Sequence, residues 1–564
     1  MSSLALLSDI SLRHNHNGQI IHEVTANGAV YNPGAPFPVT FCLRLPLFIK
    51  YPFFSPGNIQ ETAHFIIQLG NVYNYTGKIE YILSQYEALQ RGAQFLKDKD
   101  TDGNYIPEGR GIMEIEGLEN RLEMIDVAVY TGRAYQTTSY LLQELIKYKS
   151  SKEFECSLAL EKKNQCSRLS NSEKIDCVFS SKETCESNRC CWTPTDTAGV
   201  PFCYFPDWRV CELDVSFLQE KSIYYDNAAR EIRKFVNTAG WVEYFKTFAD
   251  FFATPLDAVT VIQSSIDRLN KLQGTKLMLL ELESMLKDTN QKISQNSKYA
   301  NTKKGWVVFN NWICSVPMEM NFIDSLDLGF TALGTTRVYS NEFGRLVTGV
   351  DKFTKKSSQN SVGLYAQAVM TLPTGVQAVA EGNYAKSCNT VLEQLTKLAN
   401  SFSYATPGSL HEISPKGGCY VQAWNLYSVA VPLITNIFGI FPNAPQRKIT
   451  IAPQFPTTWS SLEITDYNVG SNSISLECQI NFKTGVECHI FSEEKNWEIE
   501  FVWFSYYQYM IRGKNWLYKL NEQTVIPIST IFNNKPAEIV SYHTTEQNFY
   551  KKVSFVTPIN KDEL

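Results

Sequence analysis

The chain contains 564 residues, of which 44% are hydrophobic and 13% aromatic, and its formal net charge is −5 at pH 7. This length predicts roughly two to four domains, and the apolar content is enough for a sizeable core. A slightly acidic chain without a basic block argues against nucleic acid as a partner. The aromatic content suits stacking on sugars, although most aromatic side chains fill protein cores.

The residues up to about 400 predict a mainly helical structure. Apolar residues recur at helical spacing in residues 60–96, 122–148 and 215–286, and Pro and Gly separate these stretches. The polar segment 290–304 predicts an exposed loop. Together the segments predict a series of helical hairpins without a strict internal repeat.

An acidic segment between the first helical stretches resembles the start of a calcium-binding loop. Its pattern is Asp98-x-Asp100-x-Asp102-Gly103. The twelfth position of such a loop normally carries a bidentate Glu, but here it is Gly109, and Glu108 comes one residue early. A local Asx-type turn is therefore the favoured interpretation, and no metal is predicted.

Residues 102–135 are rich in carboxylates and predict a polar turn followed by a helix beginning near Gly117. On that helix, Glu119, Glu123 and Asp126 would share one face. Like charges on one face disfavour a helix, and an interior binding surface would explain them. The alternative, which the spacing alone favours, is a solvated face near the positive N-terminus of the helix.

Residues 166–205 hold six cysteines with the spacing C-x10-C-x7-C-x4-CC-x11-C. Roughly forty residues bury little core, so such a segment is usually held by disulfides. Six cysteines allow fifteen connectivities. A zinc site is the alternative, which the adjacent pair Cys190 and Cys191 disfavours.

This cysteine spacing resembles a trefoil (P-type) module. Trefoils recur beside carbohydrate chemistry in secretory proteins, so the resemblance predicts both the compartment and the substrate class. A further disulfide between Cys156 and Cys211, which flank the module, would close its base. The disulfides that the resemblance implies are Cys166–Cys191, Cys177–Cys190 and Cys185–Cys203.

A second candidate for chemistry is the turn-rich segment 404–428, which carries His411 and Glu412 just before an apolar helix. A loop acid at the mouth of a helix can act as a catalytic base, although it is more often a cap or a surface charge. The longest uncharged stretch, 417–446, contains Pro432 and predicts a buried helix and a loop rather than a membrane span.

After about residue 446 the pattern changes to alternating apolar and polar residues with turn residues between them. This alternation predicts a small C-terminal β domain. Cys478 and Cys488 flank the sequence NFKTG, so a disulfide between them would bridge a hairpin.

The last four residues, 561–564, spell KDEL, which the KDEL receptor reads as an address for retention in the endoplasmic reticulum. The cysteine-rich module and the retention signal together predict that the protein resides in the oxidising lumen of this compartment. In that lumen the sequon Asn74-Tyr75-Thr76 is a glycosylation site if it is exposed. Residues 1–18 lack the features of a signal peptide, so we expect an N-terminally incomplete chain.

Residues 20–140 and 305–470 resemble the glucosidase domain of glycogen-debranching enzymes (the amylo-α-1,6-glucosidase family) and bacterial relatives among the six-hairpin glycosidases. The trefoil and KDEL depart from the bacterial pattern, and the family's N-terminal β-sandwich has no counterpart here. The motifs that carry the resemblance, in the family's order, are GQIIHEVTANGAVYNPG, SPGNIQETAHFI, DTDGNYIPEGRGIMEIEGL, IDVAVYT, VPMEM, LPTGVQAVAEG, PGSLHEISPKGGCYVQAW and FGIFPNAPQRKITIAPQFPTTW.

The resemblance implies a mainly α fold, an (α/α)6 six-hairpin barrel that lacks its first helices. It implies an inverting glycoside hydrolase of the α-glucosidase type without a metal or organic cofactor. The expected divisions are barrel residues 1–155, trefoil insertion 156–211, barrel residues 212–446, β domain 447–560 and retention signal 561–564.

In an inverting enzyme of this kind, one carboxyl protonates the leaving oxygen and another activates water across the sugar, about 6.5–9.5 Å away. The resemblance implies Glu114 as the acid, with Glu116 as the fallback, and Glu412 as the base. The remaining implied sugar-binding residues are Glu123, Asp126, His22, Glu23, Trp306 and Trp424, with burial of the tryptophans as the alternative.

Two other functions fit the same features. A lectin-like or quality-control protein would keep the glycan cleft without turnover. A glucosidase that trims N-linked glycans would suit the compartment, whereas the motifs favour the debranching-like class.

Overall fold

The chain is mainly helical, with several small sheets and a disulfide-bearing trefoil region. This prediction of fold class is confirmed at that level, while the (α/α)6 barrel stays a prediction. The computed structural model describes residues 2–15, 17–21, 23–24, 30–31, 58–111, 122–152, 174, 181–187, 190–197, 200–204, 210–211, 213–270, 276–349, 368–385, 388–420, 422–481, 485–494, 496–501 and 537–538.

The chain divides into two compact units. The predicted domain boundaries are not tested by this division and stay predictions. The first unit comprises Met1–Tyr73, Gly77–Gly111 and Tyr130–Lys234, and the second comprises Asn74–Thr76, Ile112–Val129 and Phe235–Leu564.

The first unit is built mostly from helices, which lie in it wholly or for most of their length. They are α1 (Ser2–His14), α2 (Gln60–Thr76), α3 (Ile79–Ser84), α4 (Tyr86–Asp98), α5 (Ile125–Ser151), α6 (Lys182–Ser187) and α7 (Val215–Ala239). Two short strands, β1 (Glu23–Val24) and β2 (Val30–Tyr31), pair antiparallel.

Helix α5 packs closely against α2 and α7 within this unit. At Gly70 of α2, an added Cβ would lie 2.5 Å from the Thr137 side chain, so the small residue lets the two helices approach. On the other side, the Tyr135 and Tyr225 rings lie 5.1 Å apart. The apolar core between the helices includes the fully buried residues Ala63, Ile66, Leu69, Leu89, Leu96, Ala134, Leu141, Leu145, Ala229 and Ile232.

The trefoil region contains the antiparallel pair β4 (Cys191–Trp192) and β5 (Cys203–Tyr204). A disulfide joins Cys185 to Cys203, as the resemblance implied. Cys190, Cys191 and Cys211 are also disulfide-bonded. Their predicted partners Cys166, Cys177 and Cys156 lie outside the described residues, so those three pairings stay predictions.

The second unit combines helices with short sheets. The helices are α8 (Pro255–Leu269), α9 (Lys276–Gln295), α10 (Ser297–Asn301), α11 (Val316–Glu319), α12 (Leu326–Arg337), α13 (Thr371–Tyr384), α14 (Asn389–Ser401) and α15 (Ala423–Val431). The strands up to residue 414 are β3 (Glu123–Met124), β6 (Trp241–Val242), β7 (Thr247–Phe248), β8 (Phe251–Ala253), β9 (Lys304–Trp306), β10 (Ser340–Asn341), β11 (Gly344–Arg345), β12 (Val369–Met370) and β13 (Ile413–Ser414).

Two local sequence predictions are wrong. Glu123 does not lie on a helix, because β3 pairs with β8 and the helix begins only at Ile125, so Glu123 and Asp126 do not share a helical face. Residues 290–304 are not a loop either. Helix α9 continues to Gln295. An exposed ion pair between residues four apart, with Lys292 Nζ 2.7 Å from Asp288 Oδ2, supports its last turns.

The strands after residue 439 form the predicted β region. Within the described part of the chain they form two sheets, one with the order β14-β15-β19 and one with the order β16-β17-β18-β20. Cys478 faces Cys488 across β17 and β18, and the predicted disulfide joins them. The strands are β14 (Ile440–Asn443), β15 (Lys448–Ile451), β16 (Ser461–Val469), β17 (Asn472–Asn481), β18 (Gly485–Ser492), β19 (Glu498–Phe501) and β20 (Ala537–Glu538).

These strands share a core with the helical part of the second unit. Val391 of α14 and Ile437 belong to the same buried apolar cluster as Ile449, Leu476 and Ile499 of the strands. The uncharged stretch 417–446 is partly helical, as predicted, but strand β14 and the short 3-10 helix Ala444–Gln446 stand where a loop was predicted. Within the described residues, no helix is both long enough and apolar enough to span a membrane.

Two glycines of α13 let neighbouring segments approach it. A Cβ added at Gly375 would lie 2.3 Å from the Ser428 Cα atom of α15, and one added at Gly382 would lie 2.2 Å from the Asn436 side chain. Both distances are too short for non-bonded carbon atoms, so a larger residue would force the segments apart.

We therefore expect Gly375→Ala to destabilise the protein by about 1–3 kcal/mol, because backbone rather than a flexible side chain must move. Urea unfolding measures this loss. The matched control is Gly334→Ala in α12, where an added Cβ meets nothing within 4 Å. That control should be neutral or stabilising by about 0.5–1 kcal/mol, because alanine favours a helix. Equal effects at the two positions would contradict the packing argument.

Candidate functional site

Three of the predicted catalytic and sugar-binding residues, Glu114, its fallback Glu116 and His22, lie outside the described residues, and only the backbone of Glu23, in β1, is described. The predicted base Glu412 lies within the described residues. The separation of Glu114 from Glu412 stays a prediction.

Glu412 lies in a loop that is closed by backbone hydrogen bonds. Its N–H donates to the Cys419 carbonyl at 2.8 Å, and the Ile413 N–H donates to the Gly417 carbonyl at 3.1 Å. The Cys419 N–H in turn donates to Oε2 of Glu412 at 3.0 Å. The side chain is partly exposed, and in the described part of the chain its Oε1 has no hydrogen-bond partner. One carboxylate oxygen thus positions the group while the other remains available.

The loop is anchored to the start of α13. Thr371 donates its N–H to the Glu412 carbonyl at 3.0 Å and its hydroxyl to the His411 carbonyl at 2.5 Å. Strands β12 and β13 pair beside these bonds, with Met370 opposite Ile413. His411 is 9% exposed, and its Nε2 lies 3.1 Å from the Thr406 hydroxyl. Glu412 is therefore held on a rigid segment, which a catalytic carboxylate requires.

The start of α15 borders the same loop. Trp424 is partly exposed, and its indole N–H donates to the Gln422 side chain. The next residue, Asn425, donates its amide to the Leu410 carbonyl. Its Oδ1 is buried without a hydrogen-bond donor among the described residues. A buried oxygen in this state is unfavourable.

Three other predicted residues lie in or next to the sheet of β3, β8 and β9. Glu123 is 1% exposed and forms an ion pair with Lys303. Trp306 is 4% exposed, and its indole N–H donates to the Ala253 carbonyl at 3.0 Å. Asp126 is fully buried in the first turn of α5. Glu123 and Trp306 thus lie on the two outer strands of one sheet, with β8 between them, and their sugar-binding roles stay predictions.

Asp250 is a buried acid next to this sheet that the sequence analysis missed. Its carboxylate accepts backbone N–H bonds from Val308 and Phe309, both at 2.8 Å, and from Asn311 at 3.0 Å. The Cys314 thiol donates to Oδ1 at 3.1 Å. Burial raises the pKa of Asp250 above its ordinary value, against the lowering effect of these donors. Burial, with Asp250 nearby, also holds the pKa of the Cys314 thiol well above its ordinary value.

Two further buried acids lie in the motifs VPMEM and LPTGVQAVAEG. Glu381 is 1% exposed; Oε1 accepts a 2.6 Å bond from Arg337 Nε and a 2.8 Å bond from Gln377, and Oε2 pairs with the same guanidinium. Glu319 accepts the Tyr427 hydroxyl. Burial, reinforced by Glu319, holds the pKa of Tyr427 well above its ordinary value. No single-sequence signal could have shown these contacts, because Arg337 and Tyr427 lie 44 and 108 residues away from the acids that they contact.

The calcium-like segment forms the predicted Asx-type turn. Asp100 accepts the backbone N–H groups of Gly103 at 2.8 Å, Asn104 at 3.1 Å and Tyr105 at 2.8 Å. Ligand oxygens of Asp100, Asp102 and Glu108 lie within 4.8 Å of one another. Because backbone donors already occupy the Asp100 carboxylate, the turn accounts for the acidic cluster.

His64 is a titratable group of the first unit that the sequence analysis did not consider. It lies on α2, with its ring edge-on to Tyr130 at a centroid distance of 4.1 Å. Burial lowers the pKa of His64 from 6.5 to about 4, against the raising effect of Glu61. The imidazole is therefore neutral at the pH of a cell.

The lowered pKa of His64 predicts an acid-sensitive contribution to stability. Between pH 6.5 and about 4 the unfolded chain binds a proton that the folded chain does not, so stability falls as pH falls through this window. The expected loss is about 1–3 kcal/mol, because the His64 side chain is only half-buried and solvent screens part of the effect. Urea unfolding at several pH values measures it, with His64→Gln as the comparison. If the two proteins lost stability equally on acidification, the role of His64 would be refuted.

Comparisons with known proteins identify the cysteine-rich module. Residues 166–206 match the model of the trefoil (P-type) domain. This segment is therefore a trefoil domain, as its cysteine spacing predicted. No curated protein sequence matches the chain.

Two solved structures are similar to the chain at low sequence identity. One, described as a sialidase, has a TM-score of 0.46 and 10% identity and covers 77% of this chain and 31% of its own. The other, the GH78 family rhamnosidase of Bacillus sp. GL1, has a TM-score of 0.43 and 8% identity and covers 80% of this chain and 34% of its own. The chain thus spans about a third of either structure.

Proposed function

We propose that this chain is a glycoside hydrolase of the α-glucosidase type that acts on α-glucosidic bonds with inversion. The observation that carries the proposal is the state of Glu412. It lies on a loop closed by backbone hydrogen bonds, is partly exposed and keeps one carboxylate oxygen without a partner in the described part of the chain. A general base needs this combination of fixed position and available oxygen.

Two further observations support a carbohydrate substrate. The partly exposed Trp424 ring borders the Glu412 loop, and a sugar offers C–H groups to the face of an aromatic ring. The trefoil domain at 166–206 agrees with the same substrate class.

In the proposed reaction, Glu412 accepts a proton from a water molecule as that water attacks the anomeric carbon. Glu114 donates a proton to the leaving glycosidic oxygen, so the carbon–oxygen bond breaks and the anomer inverts. The backbone donor on Oε2 fixes the carboxylate, leaving Oε1 as the oxygen that takes the proton.

Replacing either carboxyl should remove turnover without unfolding the protein. We expect Glu412→Gln and Glu114→Gln to lower kcat on isomaltose or maltose by about 10²- to 10⁴-fold, since each removes one proton transfer. Proton NMR of the freshly released glucose measures both the rate and the anomer, which should be β. The control is Glu393→Gln, an exposed acid of α14 paired with Lys397 at 2.8 Å, which should leave kcat unchanged.

The same experiment separates the other functions. Sugar binding without any turnover by the full chain would favour the lectin-like protein. Turnover confined to glucosylated high-mannose glycans would favour the N-glycan trimming enzyme. Full activity of Glu412→Gln would refute the proposed base.

We also propose that the protein resides in the lumen of the endoplasmic reticulum through its terminal KDEL sequence, residues 561–564. The disulfides Cys185–Cys203 and Cys478–Cys488 support an oxidising compartment.

When the chain is expressed behind a cleavable signal peptide, it should stay inside cells. A variant lacking residues 561–564 should appear in the medium, because the receptor reads the free terminal tetrapeptide. Immunoblots of cells and medium measure the distribution. Leu564→Gly, which keeps the chain length, should be secreted like the truncated chain. Equal retention of all three proteins would refute the signal.

A further inference from the structure

Two consecutive glycines, Gly417 and Gly418, form the turn of the Glu412 loop, and both have positive φ angles, +139° and +60°. Residues with a side chain rarely adopt such angles, whereas glycine does so without a steric cost. A Cβ added at Gly418 would lie 2.4 Å from Oε2 of Glu412 and 2.9 Å from its Cβ. The carboxylate therefore lies in space that is open only because Gly418 has no side chain.

The same turn supplies the hydrogen bond that the carboxylate receives. Cys419, the residue after Gly418, donates its N–H to Oε2 of Glu412 at 3.0 Å. Its carbonyl accepts the Glu412 N–H at 2.8 Å, so the backbone bond fixes the distance between the donor and the acid. The position of Oε2 is thus set by a backbone donor on one side and by the Gly418 backbone on the other.

His411 connects this turn to the rest of the second unit. The Gly417 N–H donates to Nδ1 of His411 at 3.3 Å. Because Nδ1 accepts this bond, the neutral ring carries its proton on Nε2, which lies 3.1 Å from the Thr406 hydroxyl and donates to it. The His411 carbonyl accepts the Thr371 hydroxyl at the start of α13 at 2.5 Å. The glycine turn is therefore held through His411 by two other segments of the chain.

We propose that Gly418 and His411 are positioning residues for the candidate base. Gly418 provides the space for the Glu412 carboxylate, and His411 holds the turn that supplies its hydrogen-bond donor. This inference rests on the proposed function, because the orientation of the carboxylate affects a rate only if Glu412 accepts a proton. Both residues act through Glu412 rather than by contact with the substrate. Misplacing a reacting group by about 1 Å lowers a rate roughly 10²-fold, so the effect is measurable.

The first test compares Gly418→Ala with Gly408→Ala in the hydrolysis of maltose. Gly408 also has a positive φ, +73°, but an added Cβ there meets nothing within 4 Å, so only Gly418→Ala displaces the carboxylate. We expect Gly418→Ala to lower kcat by about 10- to 100-fold with KM unchanged. Gly408→Ala should leave kcat unchanged, and urea unfolding should show similar stabilities for the two variants. When Glu412→Gln is already present, Gly418→Ala should cause no further loss.

The second test separates the acceptor nitrogen of His411 from the bulk of its ring. His411→Asn keeps an acceptor oxygen near the position of Nδ1, whereas His411→Leu keeps the bulk without an acceptor, and both variants lose the bond to Thr406. We expect His411→Leu to lower kcat roughly tenfold, as for one lost hydrogen bond, and His411→Asn to retain most of the wild-type rate. Equal losses in the two variants would overturn the positioning role of His411.

A crystal structure of Gly418→Ala adds a measurement that does not depend on turnover, and it should show a displaced Glu412 carboxylate in an otherwise unchanged fold. Loss of turnover in Glu412→Gln, together with equal kcat in the two alanine variants, would overturn the positioning role and leave the hydrolase intact. Absence of turnover in the wild-type chain would refute the hydrolase. In that case a displaced carboxylate would still support the role of Gly418, and an undisplaced one would overturn it.

Discussion

The burial of the Asp250 carboxylate is the constraint on which the helical part of the second unit depends. This fully buried group accepts three backbone N–H bonds and one thiol, all from residues 308–314. Its own backbone also joins the sheet, since its N–H donates to Trp306 and its carbonyl accepts from Ile125. One residue thus fixes the turn after β9 against the start of α5. Burying a carboxylate costs free energy, and the hydrogen bonds from four donors offset that cost.

Side-chain hydrogen bonds connect the turn that Asp250 holds to the helix that supports the candidate base. Ser315 follows the turn and donates its hydroxyl to Gln377 of α13 at 2.8 Å. Gln377 donates to Glu381 on the same helix, and Thr371 at the start of that helix holds the Glu412 loop. Helix α13 therefore carries the buried Glu381 and also supports the Glu412 loop. Its glycines Gly375 and Gly382 allow α15 and Asn436 to pack directly on its backbone.

Sequence patterns predicted the features that depend on local chemistry. The cysteine spacing predicted the trefoil domain, and the resemblance to that domain implied the Cys185–Cys203 bond. Strand alternation predicted the β region, where the predicted Cys478–Cys488 bridge is present. The patterns gave wrong predictions where contacts between distant parts of the chain determine the secondary structure. Glu123 fits a helical stripe, but pairing of β3 with β8, about 130 residues later in the chain, makes it a strand residue. The roles of Asp250 and of the pair Arg337–Glu381 likewise arise from partners far apart in sequence.

The hydrogen bonds of each acid separate structural acids from candidate catalytic ones. The carboxylates of Asp250 and Glu381 have both oxygens occupied by donors from the protein, so neither can take a proton from water without breaking the contacts that position it. Glu412 differs in kind, since one oxygen accepts the Cys419 N–H and the other has no partner within the described ranges. Burial alone would favour Asp250 and Glu381 over Glu412 as catalytic candidates, because they are more deeply buried. An available oxygen on a fixed carboxylate, rather than depth, is therefore the feature that points to chemistry in this protein.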